Sequence, residues 1–284
     1  MKENNERISI VTIVYNGVKT IEKTMMSILN QTYENVEYII IDGGSNDGTL
    51  DLIKKYELKI KNGEFSNIYF MCISEKDNGI YDAMNKGIKL ASGEWINFMN
   101  SGDYFESSYV LENIFGSVKQ YDKATSVIYV DTLFLNMDGK IIKKKVIALK
   151  NFWKGICFLH QSCFVKTYIM KDYRFDTEYK IASDYNFLFR LYNEGFTFLY
   201  IPINISVFLI GGLSYNNYKG VIERYKIVYN ANKKLIYRIY YIYLVYITII
   251  QNIINNIIGY KNYSLLRKIK NNILIKYANI IANI

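Results

Sequence analysis

A single proline, Pro202, stands in 284 residues, and no Ser-, Pro- or Gly-rich stretch marks a flexible linker. The chain therefore reads as one folded body with at most an appendage, and it is long enough to bury a sizeable core. Histidine is as scarce, with His160 alone. That speaks against a metal cage built from imidazoles and against a hydrolytic triad, since His160 lacks the Ser and Asp company a triad needs. The three cysteines, Cys72, Cys157 and Cys163, are odd in number and lie in apolar surroundings without metal-type spacing. They read as buried thiols in a reducing cytoplasm rather than a disulfide framework. No apolar leader precedes the strand-like start in MKENNERISIV, so no export signal is expected.

Two phosphate-binding fingerprints are also missing. There is no G-x-G-x-x-G after the first strand and no G-x-x-x-x-G-K-[ST] anywhere. The apolar run Ile239–Ile250 is 12 residues long, too short for a membrane span, which takes about 20. No internal repeat is visible. Half the residues are apolar and 21% are charged, the balance of a globular protein.

The excess charge is localised. From Lys219 onward, 11 lysines and arginines face one acid, Glu223, giving +10 of the chain's net +9 and leaving the rest at −1. This basic quarter contains the apolar run and continues as Ile/Leu pairs set against Asn and Lys. A basic, aromatic-rich amphipathic region reads as lying on an anionic membrane surface or as a helical appendage packed on protein, and the charge favours the membrane. Nucleic acid is not expected as a partner, because the positive segment is too apolar and no recognition motif accompanies it.

The first hundred residues alternate strand and helix. ISIVTIV (Ile8–Val14), VEYIIID (Val36–Asp42), IYFMCIS (Ile68–Ser74) and EWINFM (Glu94–Met99) are apolar runs of strand length. Between them Ile21, Met25, Ile28 and Leu29, then Thr49 to about Tyr56, then Ile80, Met84, Gly87, Ile88 and Ala91 fall at helical spacing. This order predicts an α/β fold with a mainly parallel sheet flanked by helices. Beyond residue 126 the pattern turns β-rich, with SVIYVDTLFL and KIIKKKVIAL around an NMDG turn. A helix follows, with Phe187, Leu188 and Leu191 on one face and Gly195 as its stop.

Ligands of such sheets bind beyond the carboxyl ends of the strands. Here those ends carry Tyr15-Asn16, Asp42, Asp77 and Asn100-Ser101-Gly102-Asp103. Each alone could be turn chemistry. Acids at successive strand ends instead suggest a rim for a nucleotide or a metal. Asp103 fits a hard cation that draws its other ligands from phosphate and water. Asp184 opens its helix, where it is either an N-terminal cap or a catalytic carboxylate. His160 reads as a satisfied core or rim residue before it reads as a catalyst.

The ordered set VTIVYNG, IIIDGGSNDGT, SEKDNGIYDAMNKGIKLASGEWINFMNSGD, HQSCFV, ASDYNFLFRL and GGLS covers Ile8 to Ser214. It resembles the family 2 glycosyltransferases, nucleotide-sugar-dependent inverting enzymes of the GT-A fold, in the bacterial branch that assembles O-antigen, capsule or exopolysaccharide. The resemblance implies a GT-A domain over 1–215, with a nucleotide-sugar half (1–105) and an acceptor half (106–215), and a basic amphipathic helical region over 216–284. It puts Thr12, Tyr15, Asn16, Asp42, Asp77, Asn100 and Ser101 around the nucleotide, with Asp42 reaching the base. Asp103 would hold Mn²⁺ or Mg²⁺, Asp184 would be the base, and His160 and Gln161 would lie near the acceptor or donor sugar. The implied donor is a UDP-hexose or UDP-N-acetylhexosamine, and the implied acceptor a sugar on a polyprenyl diphosphate at the inner face of the cell membrane. Two positions depart from the family's pattern. The metal motif, usually D-x-D, keeps only its last acid, and Ser183 stands where the base is usually preceded by Glu. The weakened metal motif leaves a catalytically weak nucleotide-sugar-binding subunit as the alternative.

Overall fold

The structure, a computed structural model, describes residues 6–65, 67–116, 121–135, 140–144, 146–209 and 218–258. It divides into two compact units, Met1–Tyr215 and Asn216–Ile284. The first begins β1 (Ile8–Val14), α1 (Ile21–Leu29), β2 (Val36–Asp42), α2 (Thr49–Lys61), β3 (Ile68–Ser74), α3 (Ile80–Leu90) and β4 (Trp95–Phe98). β1 and β2 are buried along their whole length, which is why neither alternates polar and apolar residues. α2 outruns the expected Tyr56 because ELKIK continues with good helix formers until Asn62-Gly63.

β1 lies between β2 and β4 and runs parallel to both, and β3 pairs in parallel outside β2. The register sets Val14 beside Asp42 and Asp42 beside Ser74, so these strand ends finish level. Ile10, Met25, Ile28, Ile40 and Trp95 belong to the core cluster between sheet and helices. α3 buries Tyr81, Ala83, Met84, Gly87 and Ile88. It closes tightly on β1 because position 87 has no side chain: a Cβ there would stand 2.5 Å from Val11 Cγ1.

The chain continues through β5 (Tyr104–Phe105), α4 (Val110–Phe115), β6 (Thr125–Leu135), β7 (Ile141–Lys144), a 3-10 turn at His160–Ser162, β8 (Cys163–Lys166), α5 (Thr167–Tyr173), α6 (Ser183–Asn193) and β9 (Thr197–Leu209). The strands form one sheet in the order β3-β2-β1-β4-β8-β6-β9-β5, with β7 on β6. Parallel pairing rules the first half. The second half is mixed, since β8, β5 and β7 join antiparallel while β6 and β9 run parallel. VIAL, read as strand, leaves the sheet, and Leu149–Lys154 forms a 3-10 helix. The lone Pro202 falls in an irregularity of β9, where the register jumps from Ile201 opposite Val130 to Asn204 opposite Asp131. A residue that cannot donate to the ladder is tolerated there.

The second unit contains α7 (Tyr218–Ala231) and α8 (Leu235–Ile258), which meet through Tyr225 and Tyr241 with ring centroids 5.9 Å apart. Leu235, Ile239, Ile242, Tyr246, Ile249 and Ile253 recur on one face of α8 at steps of three and four, and all are exposed, by 41–68%. Among the described residues no helix is long and apolar enough to cross a membrane. The NMDG turn, the GGLS segment and the chain from 259 onward lie outside the described residues.

Candidate active site

A cleft of about 450 Å³ opens over the carboxyl ends of β1, β3 and β4. Tyr15, Asn16, Gly17 and Thr20 wall it from the loop after β1, Asp77, Gly79, Ile80 and Ala83 from the start of α3, and Asn100 and Ser101 from the turn after β4. Asn16 adopts a left-handed backbone (φ 49°), and this conformation is held on both sides. Its N–H donates to Ser45 Oγ at 2.7 Å and its Oδ1 accepts from Asn46 N–H at 3.0 Å. Gly17 N–H and Val18 N–H reach Thr49 Oγ1 and Asp47 Oδ2 in the same neighbouring loop. Opposite stands Asp77, so close to Gly43 that a Cβ there would lie 2.5 Å from Asp77 Oδ2. Tyr15 is 65% exposed, a large aromatic face turned to the opening.

Below the rim Asp103 is nearly buried, yet its backbone and carboxylate are both held. Its carbonyl accepts from Thr24 Oγ1 at 2.7 Å, and its Oδ2 accepts from Gln161 Nε2 at 2.6 Å. Gln161 is positioned in turn by Asn97 on β4, whose Nδ2 donates to Gln161 O and Cys163 O. Among the described residues no group of three or more His, Cys, Asp or Glu side chains forms a metal cage. Asp103 offers one hard carboxylate, and the buried amide oxygens of Asn100 and Gln161 have no hydrogen-bond partner. This oxygen-rich surrounding suits a divalent cation such as Mg²⁺ or Mn²⁺ that takes its remaining ligands from phosphate and water.

Asp184, at the start of α6, is bonded to the same region. His160 Nδ1 lies 3.1 Å from Asp184 Oδ2, and His160 Nε2 lies 3.0 Å from Asn100 Nδ2 on the cleft wall. Asp184 Oδ1 accepts from Tyr185 N–H at 2.8 Å and lies 3.0 Å from the Tyr81 hydroxyl. Burial alone would raise this carboxyl, but the His160 ring and the Tyr185 and Tyr81 donors outweigh it and hold the group below its ordinary value. Burial and the neighbouring Asp184 push the Tyr81 hydroxyl up, so it stays protonated and can donate.

Of the residues singled out in the sequence, Tyr15, Asn16, Asp77, Asn100 and Ser101 line the cleft. His160 joins Asn100 to Asp184, and Gln161 joins the turn to Asp103. Thr12 and Asp42 are placed differently. Thr12 is fully buried, with its hydroxyl donating to Met99 O and accepting from Tyr38. Asp42 is also fully buried, and its carboxylate accepts from the Ser45 and Ser74 hydroxyls at 2.5 Å. Tyr81, Asn97 and Thr24 were not anticipated. Asn97 carried a signal, a lone amide inside the apolar strand Trp95–Phe98.

The mixed α/β sheet is shared with solved GT-A structures. The mannosyltransferase PcManGT from Pyrobaculum calidifontis, in complex with GDP-Man and Mn²⁺, aligns with a TM-score of 0.63 at 15% identity over 82% of this chain and 66% of that one. S. aureus TarS 1-349, in complex with UDP-GlcNAc, aligns with a TM-score of 0.60 at 18% identity over 80% and 67%. The chain thus spans about two thirds of each, and the likeness shows the GT-A fold.

A profile of the family described as "Glycosyl transferase family 2" matches residues 9–177, so the chain belongs to that family and is a glycosyltransferase. A curated relative from Methanococcus voltae, the dolichyl N-acetyl-alpha-D-glucosaminyl phosphate 3-beta-D-2,3-diacetamido-2,3-dideoxy-beta-D-glucuronosyltransferase, is 28% identical over 242 residues, 76% of this chain and 74% of its own length.

Proposed function

We propose that this glycosyltransferase moves a hexose or N-acetylhexosamine from a UDP-sugar to a hydroxyl of a lipid-linked saccharide in surface-polysaccharide assembly, inverting the anomeric centre to a β-linkage. The observation that carries the reading is the bonded path from the cleft wall at Asn100 through His160 to the Asp184 carboxylate. A nucleotide-sugar in the cleft would be linked through Asn100 and His160 to one ionised carboxylate. Inverting transfer needs only one such group, which takes the acceptor's proton as its oxygen attacks opposite the leaving diphosphate. Relatives support the substrate classes: one is named for a dolichyl-phosphate-linked acceptor, and one GT-A neighbour holds UDP-GlcNAc.

In this reading Tyr15 stacks on the base, and Asn16, Asp77, Asn100 and Ser101 hold the nucleotide. Asp42 reaches the base, its carboxylate set by the Ser45 and Ser74 hydroxyls. Asp103 holds a divalent cation, which when bound offsets the charge building on the departing diphosphate. The test is nucleotide release across UDP-glucose, UDP-GlcNAc and GDP-mannose, each with and without Mn²⁺. Metal-dependent release of UDP is expected, and release of GDP alone would sink the donor assignment. Tyr15→Ala should raise the KM for the UDP-sugar about tenfold, from a lost stack of roughly 1–3 kcal/mol, with kcat little changed.

The second unit, in this proposal, rests on the inner leaflet of the cell membrane and keeps the enzyme beside its acceptor. The apolar row on α8 and the +10 charge from Lys219 onward support this, since anionic lipid offers both an apolar layer and opposite charge. Full-length protein should therefore sediment with phosphatidylglycerol vesicles and leave them at high salt. An Ile242→Glu/Tyr246→Glu double variant should bind at least about tenfold more weakly. Equal sedimentation of variant and wild type would rule this face out.

A further inference from the structure

Asp184 does not stand alone. We propose that His160 is a positioning residue for Asp184: it aims the carboxylate through its Nδ1–H and ties it to the cleft wall through Asn100. The proposal rests on the reading of Asp184 as the proton acceptor.

An ionised carboxylate can only accept, so the contact at 3.1 Å requires the proton on His160 Nδ1. In the neutral ring Nε2 is then an acceptor, and Asn100 Nδ2 stands 3.0 Å away as the donor. One imidazole therefore bridges a residue of the cleft and the carboxylate at the head of α6. The turn that carries the ring is held as well. Asn97 Nδ2 anchors the turn at Gln161 O, and the Gln161 side chain is bound to Asp103. With both ring nitrogens engaged, His160 acts through Asp184 rather than on the substrate.

The surroundings explain why such a partner is needed. Ile96 and Phe98 from β4, Met170 from α5 and Phe175 line the space against the pair with apolar groups. The titratable groups facing it from the packed elements include Tyr81 on α3 and Cys163 on β8. Neither brings a positive charge. A carboxylate in that setting tends to take up a proton and to swing toward water, and a fixed N–H donor opposes both. Asp184 is only 15% exposed at its side chain, so few waters can substitute for His160.

Because His160 is the only histidine in the sequence, its ring can be read without assignment in untagged, ¹⁵N-labelled protein. The neutral ring is expected as the Nδ1–H tautomer, and Asp184→Ala should return it to the Nε2–H form that free imidazole prefers. An Nε2–H ring in the wild type, or a ring unmoved by Asp184→Ala, overturns the proposal. Turnover gives the second readout, measured as UDP release from UDP-GlcNAc with Mn²⁺, with thermal melts confirming folded variants. His160→Ala should lower kcat about 10–100-fold with KM little changed and move the acid limb of the pH profile upward. His160→Asn keeps a donor at the Nδ1 position and should recover part of the loss. His160→Gln, which places its amide at the Nε2 position, should recover none.

Equal activity of all three variants, whether full or reduced, contradicts the positioning role. The two readings fail separately. An active Asp184→Asn removes Asp184 as the base, whereas an inactive Asp184→Asn beside a fully active His160→Ala removes only the role of His160. Where wild-type UDP release falls below detection, the tautomer measurement decides.

Discussion

An Asp184→Asn enzyme should lose turnover by about 10²–10⁴-fold, the usual worth of a positioned general base, while binding UDP as the wild type does. The separation follows from the geometry. Asp184 is not among the residues lining the cleft and is linked to it through His160 and Asn100. Asparagine matches aspartate in shape, and its amide oxygen can still accept from His160 Nδ1, but its NH2 then faces the Tyr185 N–H, so the melt should fall modestly while the variant stays folded and binds UDP. What it cannot do is take a proton. Calorimetric titration of UDP beside a transfer assay measures both halves. A variant with wild-type turnover would favour a nucleotide-sugar-binding subunit whose chemistry lies elsewhere.

The same carboxylate fixes the acid side of the pH profile. Burial would push Asp184 up, but the His160 ring, then the Tyr185 N–H and Tyr81 hydroxyl, hold it below its ordinary value. A depressed carboxyl keeps its charge down through the usual aspartate range, so turnover should fail at this group only below that range. The sign for stability is the same. The contribution of the pair is present above the unfolded-state value and is lost as pH falls through the folded one.

The parallel half of the fold was legible because its strands read as unbroken apolar runs, fully buried in β1, β2 and β4 and half-buried in the edge strand β3. Ile8–Val14, Val36–Asp42 and Ile68–Ser74 fall where the runs predict them. β9 was not legible, because Pro202 interrupts it and the irregularity that accommodates proline is a property of the β6 pairing. The cleft residues Tyr15, Asn16 and Asp77 could be read from their place after strands. Burial could not. Thr12 and Asp42 sit at fully buried strand positions, bonded to Met99, Tyr38, Ser45 and Ser74. The His160–Asp184 contact joins residues 24 apart through a 3-10 turn and a helix start, a geometry that no local pattern encodes.

Asp103→Asn should prove the harshest change at the rim, because the turn Asn100-Ser101-Gly102-Asp103 holds no second acid to take over. The substitution leaves the architecture in place. Gln161 Nε2 can still donate to the amide oxygen, and the Thr24 hydroxyl still reaches the backbone carbonyl of residue 103. What is lost is one negative charge in a nearly buried, oxygen-rich pocket. UDP release should fall by about 10²–10³-fold, the scale of removing one preorganised electrostatic group at a developing charge. Chelation by EDTA should depress the wild type to a similar level and leave the variant unchanged, and added Mn²⁺ should restore only the wild type. A variant that still answered to Mn²⁺ at wild-type concentrations would place the cation on other oxygens. A wild type indifferent to EDTA would mean that the leaving diphosphate is stabilised by the chain's own donors alone, and Asp103 would then be a structural partner of Gln161.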